Sequence, residues 1–121
     1  ARAAIQVNDE AKARVAYAKL LTIAKGELAA EALYYEAYFK NKDGKYEDSN
    51  KTVQKLAKDY SGYKYFGAKG LLLMAANFQA LNDSYQATFI LETVSSGSLR
   101  FSIILVYNIL LTIAALKSIP P

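Results

Sequence analysis

The chain has 121 residues and a net charge of +4, with 53% hydrophobic and 21% charged residues. Such a composition is too apolar for a disordered segment, and the length suits one domain with a single core. Cysteine and histidine are both absent, which excludes disulfides, thiol catalysis and zinc sites made of these residues. Lysines and arginines are interspersed with acidic residues, so no basic stripe dense enough for nucleic acid stands out. We therefore expect a protein that binds no nucleic acid, uses no metal or cofactor and is not an enzyme.

The first helix is predicted directly after a short N-terminal tail, residues 1–9. This tail ends in Asn8 and Asp9, whose side chains can accept hydrogen bonds from the free amides of a helix start. The predicted helix runs from Glu10 to Lys25, and Gly26 follows it. Its apolar residues recur at intervals of three and four, which places them on one face: Ala11, Val15, Ala18 and Leu21.

The second and third helices are separated by an Asp-Gly pair. The second runs from Glu27 to Lys42 and is rich in strong helix formers. Its predicted core face consists of Leu28, Ala32, Tyr35 and Phe39. The third runs from about Lys45 to Asp59 and has Glu47 and Asp48 in its first turn, where the helix dipole favours negative charge. That dipole explains the two carboxylates better than acid-base catalysis does.

The fourth and fifth helices follow with equally short connections. The fourth, Tyr63 to Leu81, contains a long apolar run, and the fifth extends from Ser84 to about Val94. Asp83 and Gln86 are spaced like a capping box at the start of the fifth helix. Five helices joined by short turns predict an all-α fold.

Residues 95–121 are predicted to be a linker followed by an apolar C-terminal helix. The apolar part, Phe101 to Leu116, has 16 residues. As a helix it would span about 24 Å, which is short of a bilayer core of about 30 Å. Because an apolar helix must be covered, we expect buried packing or self-association through residues 99–117, with membrane insertion as the alternative.

Residues of like character recur 38 positions apart along the chain. The matched pairs are Leu33 and Leu71, Ala37 and Ala75, Ser49 and Ala87, Val53 and Leu91, and Leu56 and Val94. The same step backwards reaches the first helix, where it lands on Ala11, Val15 and Ala18. Small residues at such positions let two antiparallel helices approach closely. The pattern predicts one half repeat, residues 10–26, and two full repeats, residues 27–62 and 63–94.

This pattern resembles the tetratricopeptide repeat, a helical hairpin with large, small and aromatic residues at fixed positions. The best match consists of Leu71, Met74, Ala75, Phe78, Ala87 and Leu91. The segment from Glu31 to Val94 resembles in particular the tetratricopeptide proteins of cell envelopes in Bacteroidetes-type bacteria. Three departures stand beside the resemblance. The 38-residue spacing exceeds the usual repeat of about 34, the first repeat has Lys40 where the second has Phe78, and neither closing turn carries the customary proline.

The resemblance implies antiparallel helical hairpins stacked as a right-handed superhelix of five to six helices. It also implies a non-catalytic scaffold that binds a peptide or partner protein on its concave surface. The groove-lining pattern of the family falls on Glu31, Tyr34, Tyr38, Asn41, Lys42, Lys69, Leu72, Ala76 and Gln79. Tyr34 and Tyr38 are the sharpest candidates because tyrosine is enriched at interfaces, with packing between helices as their alternative role.

The same resemblance suggests a location in the bacterial cell envelope or periplasm. Together with the apolar segment of residues 101–116, it leaves a second function open. The alternative is a membrane-anchored structural component of a cell-envelope assembly.

Overall fold

A computed structural model describes residues 9–95, and all regular secondary structure in this part of the chain is α-helical. The five helices are α1 (Glu10–Ile23), α2 (Glu27–Lys42), α3 (Tyr46–Asp59), α4 (Lys64–Ala80) and α5 (Ser84–Ser95). The prediction of an all-α fold is confirmed for these residues, and each helix boundary agrees with the predicted one within two residues. The predicted sixth helix and Asn8 lie outside the described residues.

The helices pack as successive hairpins in which α2 and α4 occupy the interior. Each connection has only three or four residues, which makes neighbouring helices antiparallel. Helix α2 contacts α1, α3 and α4, and helix α4 also contacts α3 and α5. Among the described helices, α1 does not contact α3, and α3 does not contact α5. The first helices of the two hairpins therefore lie side by side, and the second helices stay apart.

The α2–α3 and α4–α5 turns have the same backbone hydrogen bonds, 38 residues apart. The Lys45 amide donates to the Lys40 carbonyl at 2.9 Å, and the Asp83 amide donates to the Phe78 carbonyl at 2.8 Å. Each turn has one residue in the left-handed region, Gly44 with φ of 76° and Asn82 with φ of 60°. Glycine and asparagine are the residues that adopt this conformation at least cost, so each turn has the residue that it needs.

Two aspartates cap helix starts as their sequence positions predict. Asp9 Oδ1 accepts a hydrogen bond from the Lys12 amide at 3.3 Å, and Asp83 Oδ1 accepts one from the Gln86 amide at 3.2 Å. The reciprocal half of the capping box is not formed, because Gln86 Oε1 has no hydrogen-bond partner. The Asp83 amide already donates to the Phe78 carbonyl, so no donor is left there for the glutamine.

The main core lies between α2, α3, α4 and α5, and small residues permit the close approach of these helices. The predicted small positions Ala37, Ser49, Ala75 and Ala87 are all buried. Ser49 Oγ donates a hydrogen bond to the Ala37 carbonyl at 2.7 Å, which joins α3 to α2. Gly70 of α4 lies against α3 so closely that a Cβ atom there would stand 3.1 Å from Leu56 Cδ2.

The predicted core face of α1 is wrong. Ala11, Val15 and Ala18 are exposed, with Val15 exposed to 68%, and Leu21 is half-buried. Helix α1 instead buries Ala13 and Tyr17, and the Tyr17 ring stacks on Tyr35 with 4.5 Å between the centroids. The physical reason is that α2 is the one described helix on which α1 packs, and the tyrosine ring removes more apolar area from water than small aliphatic side chains do.

The core face predicted for α2 is right in three of its four members. Ala32 and Phe39 are buried and Tyr35 is half-buried, but Leu28 is 46% exposed. Leu28 lies in the first turn of α2, which begins at Glu27 after the α1–α2 connection.

Candidate functional site

A cluster of tyrosine rings covers one side of α2 where this helix meets α4. Tyr34 and Tyr38 are one helical turn apart, and their rings stack with 6.3 Å between centroids. Tyr35 lies edge-on to Tyr34 at 5.0 Å and to Tyr38 at 5.8 Å. Phe66 of α4 stands 6.3 Å from the Tyr34 ring and so continues the cluster across the helix pair.

Two lysine ammonium groups rest on these rings. Lys69 Nζ of α4 lies 4.9 Å from the Tyr34 centroid, 5.6 Å from the Tyr35 centroid and 5.3 Å from the Tyr65 centroid. Lys42 Nζ of α2 lies 5.6 Å from the Tyr38 centroid. The negative faces of the rings attract the cations, and such a contact at an exposed site contributes about 0.5–1 kcal/mol. The rings therefore restrict where both cations stand.

Among residues 9–95, three cations form ion pairs with carboxylates: Lys12, Arg14 and Lys40. Arg14 pairs with Asp43 at 2.8 Å and with Glu10 at 2.7 Å, and Lys40 stands 3.6 Å from Glu36. Within residues 9–95, neither Lys42 nor Lys69 forms an ion pair with a carboxylate. Both ammonium groups contact aromatic rings; Lys42 is exposed and Lys69 is half-buried.

The outer side of α4 continues the cluster with exposed side chains. Tyr65 is 65% exposed and Leu72 is 49% exposed, and Ala76 and Gln79 are exposed as well. Spacings of three and four from Lys69 put these residues on the same stripe of the helix. We call the combined surface the α2–α4 face. Its members are Tyr34, Tyr38, Lys42, Tyr65, Lys69, Leu72, Ala76 and Gln79.

Tyr34 is the floor of the α2–α4 face and belongs to the main core as well. It is buried beneath Lys69 and packs in the same cluster as Phe66 and Leu33. Burial is the main cause that raises the pKa of Tyr34 to about 12, and the neighbouring tyrosines Tyr35, Tyr38 and Tyr65 raise it further. Tyr34 is therefore neutral throughout the physiological pH range.

Two of the residues predicted to line the groove point into the protein. Glu31 is buried, and its Oε2 accepts a hydrogen bond from the Tyr17 hydroxyl at 2.9 Å. Asn41 is half-buried, and its Nδ2 donates to Asn77 Oδ1 at 2.8 Å. The expectation that Glu31 is open to a partner is not met, because its neighbour on α1 covers it.

Asn77 is the centre of a buried polar network between α2, α3 and α4. Its Nδ2 donates to Ser49 Oγ at 2.8 Å and to Asn50 Oδ1 at 2.9 Å, and its Oδ1 accepts from Asn41. All polar atoms of the Asn77 side chain are thus used, which suits a residue that is completely buried. The network fixes the position of α4 against α2 and so holds the two helices of the α2–α4 face together.

Tyr65 is not among the residues predicted to line the groove, and Tyr35 was predicted to lie in the core. Tyr65 precedes Lys69 by four residues on α4, a spacing that makes side chains neighbours on a helix and could have indicated the contact. Tyr35 is half-buried and contacts both Tyr17 and Lys69, so it links the core to the surface. The sequence gives no signal for this double role, because it depends on the packing of α1.

A hollow of about 390 Å³ lies between α1 and α2. Phe39, Leu21 and Ala32 supply apolar walls, and the charged residues around it pair with one another as Arg14 with Asp43 and Lys40 with Glu36. The hydrogen bonds with Arg14 are the main cause of a lowered Asp43 pKa. This arrangement ties α1 to the end of α2.

Within residues 9–95, no group of three or more acidic side chains is placed to hold a metal ion. No helix in that same stretch is both long and apolar enough to cross a membrane. The predictions for residues 99–117 lie outside the described residues. Comparison of the chain with protein-family models, curated proteins and solved structures found no match.

Proposed function

We propose that this protein is a non-catalytic scaffold that binds a segment of a partner protein on the α2–α4 face. The observation that carries the proposal is the row formed by exposed Tyr65 and Leu72 and half-buried Lys69 on α4, which half-buried Tyr38 and exposed Lys42 continue on α2. Large aromatic and aliphatic side chains beside fixed polar groups are the composition of protein interfaces. Because α2 and α4 are the most highly connected helices, the row rests on a rigid support.

The proposal includes stacking of the hairpins as in tetratricopeptide proteins. Its support is the side-by-side contact of α2 and α4, the separation of α3 from α5, and the identical turns 38 residues apart. A stack of this kind presents the first helix of each hairpin on one shared surface, where an extended peptide can contact several helices at once. The resemblance in sequence and this arrangement lead to the same surface.

The test selects peptide ligands from a random 12-residue display library against the full-length chain. Affinities of the selected peptides are then measured by fluorescence anisotropy for the wild type and for four variants. Tyr65→Ala and Leu72→Ala should each weaken binding by about 10-fold, as expected for central interface residues. The matched variants Tyr85→Ala and Ile23→Ala remove side chains of similar type that are more exposed and lie elsewhere, and they should change affinity by less than about twofold.

Tyr34→Ala is not a suitable variant for this test. Tyr34 is buried in the core, so its truncation reports on stability as well as on recognition. Two results would overturn the proposal: a selection that yields no peptide above background, or selected peptides whose affinity depends on Tyr85 or Ile23 and not on Tyr65 and Leu72.

A further inference from the structure

We infer that the partner segment is acidic, with carboxylate side chains that bind Lys69 and Lys42 and an apolar side chain that packs on Leu72. This inference rests on the proposed function, because it names the chemistry of the segment that the α2–α4 face binds. The face contains two ammonium groups without carboxylate partners among the described residues. A ligand that supplies those carboxylates completes a pairing that the chain leaves open.

The two lysines stand at the two ends of a row of side chains. Lys69 stands on the Tyr34 ring, Tyr34 stacks on Tyr38, and Lys42 stands on the Tyr38 ring. The four side chains therefore form a row with a positive charge near each end. A ligand with two carboxylates separated along an extended peptide matches this row in both charge and direction.

Ligand binding carries the cost of ordering long side chains. A lysine normally loses much rotamer freedom when it binds a ligand, and this loss weakens exposed ion pairs. Here three rings surround Lys69 Nζ, at 4.9, 5.3 and 5.6 Å, before any ligand arrives. The rings do not satisfy the N–H donors of the ammonium group, so those donors stay available to an anion. Preorganisation of this kind increases affinity without new contacts.

The other cations of residues 9–95 lack either a free charge or an aromatic support. Arg14 and Lys40 have carboxylate partners, so an approaching anion would have to compete with them. Exposed lysines such as Lys51 and Lys55 have no carboxylate partner among these residues, but no aromatic ring there holds their ammonium groups in place as the rings hold Lys42 and Lys69. Glu31 is buried on Tyr17 and does not face the ligand. Tyr34 is neutral at physiological pH, so the floor of the row does not repel an anion.

The ligand chemistry favours a peptide over a nucleic acid. A nucleic-acid strand needs a continuous series of cations along its phosphates, and the row contains two. Leu72, which is 49% exposed on the same stripe, provides an aliphatic contact that a phosphate backbone has no group to match. An acidic peptide with one aliphatic or aromatic residue uses all of these features.

The test compares three sets of synthetic 12-residue peptides and one oligonucleotide, each titrated into the full-length chain by fluorescence anisotropy. Every peptide contains two leucines and one tyrosine, and the remaining positions are rich in glutamate, in lysine or in serine. The oligonucleotide is a dT 20-mer. The acidic peptides should bind at least about 10-fold more tightly than the other three probes, and about 10-fold more weakly at 0.5 M than at 0.05 M salt.

Substitutions of Lys69 test whether its charge causes the preference for acidic peptides. Lys69→Met keeps a long unbranched side chain but removes the charge, and we expect acidic peptides to bind it about 5–10-fold more weakly. Lys69→Arg keeps a cation that also packs on aromatic rings, so it should retain affinity within about twofold. Lys55→Met removes an exposed lysine from α3 and serves as the control, with unchanged affinity expected.

Equal binding of the basic or serine-rich peptides, tighter binding of the oligonucleotide, or full affinity of the Lys69→Met variant would overturn the acidic assignment. These results are distinguishable from failure of the proposed function. If peptides of any charge still lose affinity in Tyr65→Ala, the face is a binding surface and only the charge of the partner was misassigned. If no peptide binds, both proposals fail.

Discussion

Tyr17 shows how one buried aromatic residue determines the position of a helix. Its ring stacks on Tyr35 and lies near Phe39, while its hydroxyl donates to the buried carboxylate of Glu31. A buried carboxylate that loses such a donor is left poorly solvated, which is costly. The hydroxyl of Tyr17 therefore stabilises Glu31 in the interior, and the ring holds α1 on α2.

Replacing Tyr17 by phenylalanine should lower the free energy of unfolding by about 1–3 kcal/mol, because the ring remains and the buried carboxyl group of Glu31 loses a hydrogen-bond donor. Urea denaturation followed by circular dichroism measures the change. Tyr85→Phe removes the hydroxyl of a tyrosine that is 76% exposed and should leave stability within about 0.5 kcal/mol. Equal stability of Tyr17→Phe and wild type would contradict the role given to the hydroxyl.

Deprotonation of the Tyr34 hydroxyl group should make the protein less stable in alkaline solution. Its pKa is about 12 in the folded chain against an ordinary value of 10, so the unfolded chain loses this proton first as pH rises. The contribution is fully present below pH 10 and is lost between pH 10 and pH 12, by about 3 kcal/mol in total. Tyr34→Phe cannot titrate here, so it should lose less stability than wild type across this window in urea titrations. Parallel loss in both proteins would be inconsistent with the raised pKa.

At the scale of helices, Gly70 permits the contact between α4 and α3. A Cβ atom at this position would stand 3.1 Å from Leu56 Cδ2 and 3.3 Å from Val53 Cγ1, and both of those residues are buried. Gly70→Val should therefore destabilise the protein by about 2–3 kcal/mol through overpacking. Ala76→Val introduces valine at an exposed position of the same helix and should cost only about 0.5 kcal/mol. Thermal denaturation measures the stability of both variants. Similar losses of stability in Gly70→Val and Ala76→Val would show that a larger side chain fits at the contact between α4 and α3.

Asn77 joins three helices, and its network should be the least replaceable polar feature of the described residues. Asn77→Ala removes the partner of Asn41, Ser49 and Asn50 at once, and buried polar groups left without partners are costly. We expect a loss of about 3 kcal/mol, measured by urea denaturation. Gln79→Ala removes an exposed amide from the same helix and should be nearly neutral. A nearly neutral Asn77→Ala would show that the network adds little to stability.

The helix boundaries could be predicted from the sequence, whereas the buried face was predicted largely correctly for α2 and wrongly for α1. Period, caps and turn residues are local signals, which is why Asp9, Gly44 and Asp83 have the roles expected of them. The buried face of α1 cannot be predicted from local signals, because two faces of this helix have apolar residues. The face with Tyr17 is buried because the Tyr17 ring packs on Tyr35 and Phe39 of α2. Tyr34, Tyr38 and Lys69 were among the residues predicted to line the groove, and their side chains contact one another in the structure. The burial of Glu31 depends on its contact with α1, which its position in the sequence does not indicate.

At the scale of the whole molecule, the helices differ in how many neighbours support them. Among the described helices, α1 contacts only α2, whereas α2 contacts three helices, so local opening within residues 9–95 should begin at α1. Hydrogen exchange measured by NMR should give α1 amides protection at least about 10-fold lower than that of α2 amides. Equal protection of the two helices would mean that residues 9–95 open as one cooperative unit.

The most direct test of the account maps where a ligand touches the protein. The full-length chain, labelled with ¹⁵N, is titrated with the acidic 12-residue peptide and followed by NMR. The largest shift changes should fall on Tyr65, Lys69 and Leu72 of α4 and on Tyr38 and Lys42 of α2, with none at Val15 or Lys55. Shift changes centred on α1 or α3, or no saturable change at all, would contradict the assignment of the α2–α4 face as a binding surface for an acidic partner segment.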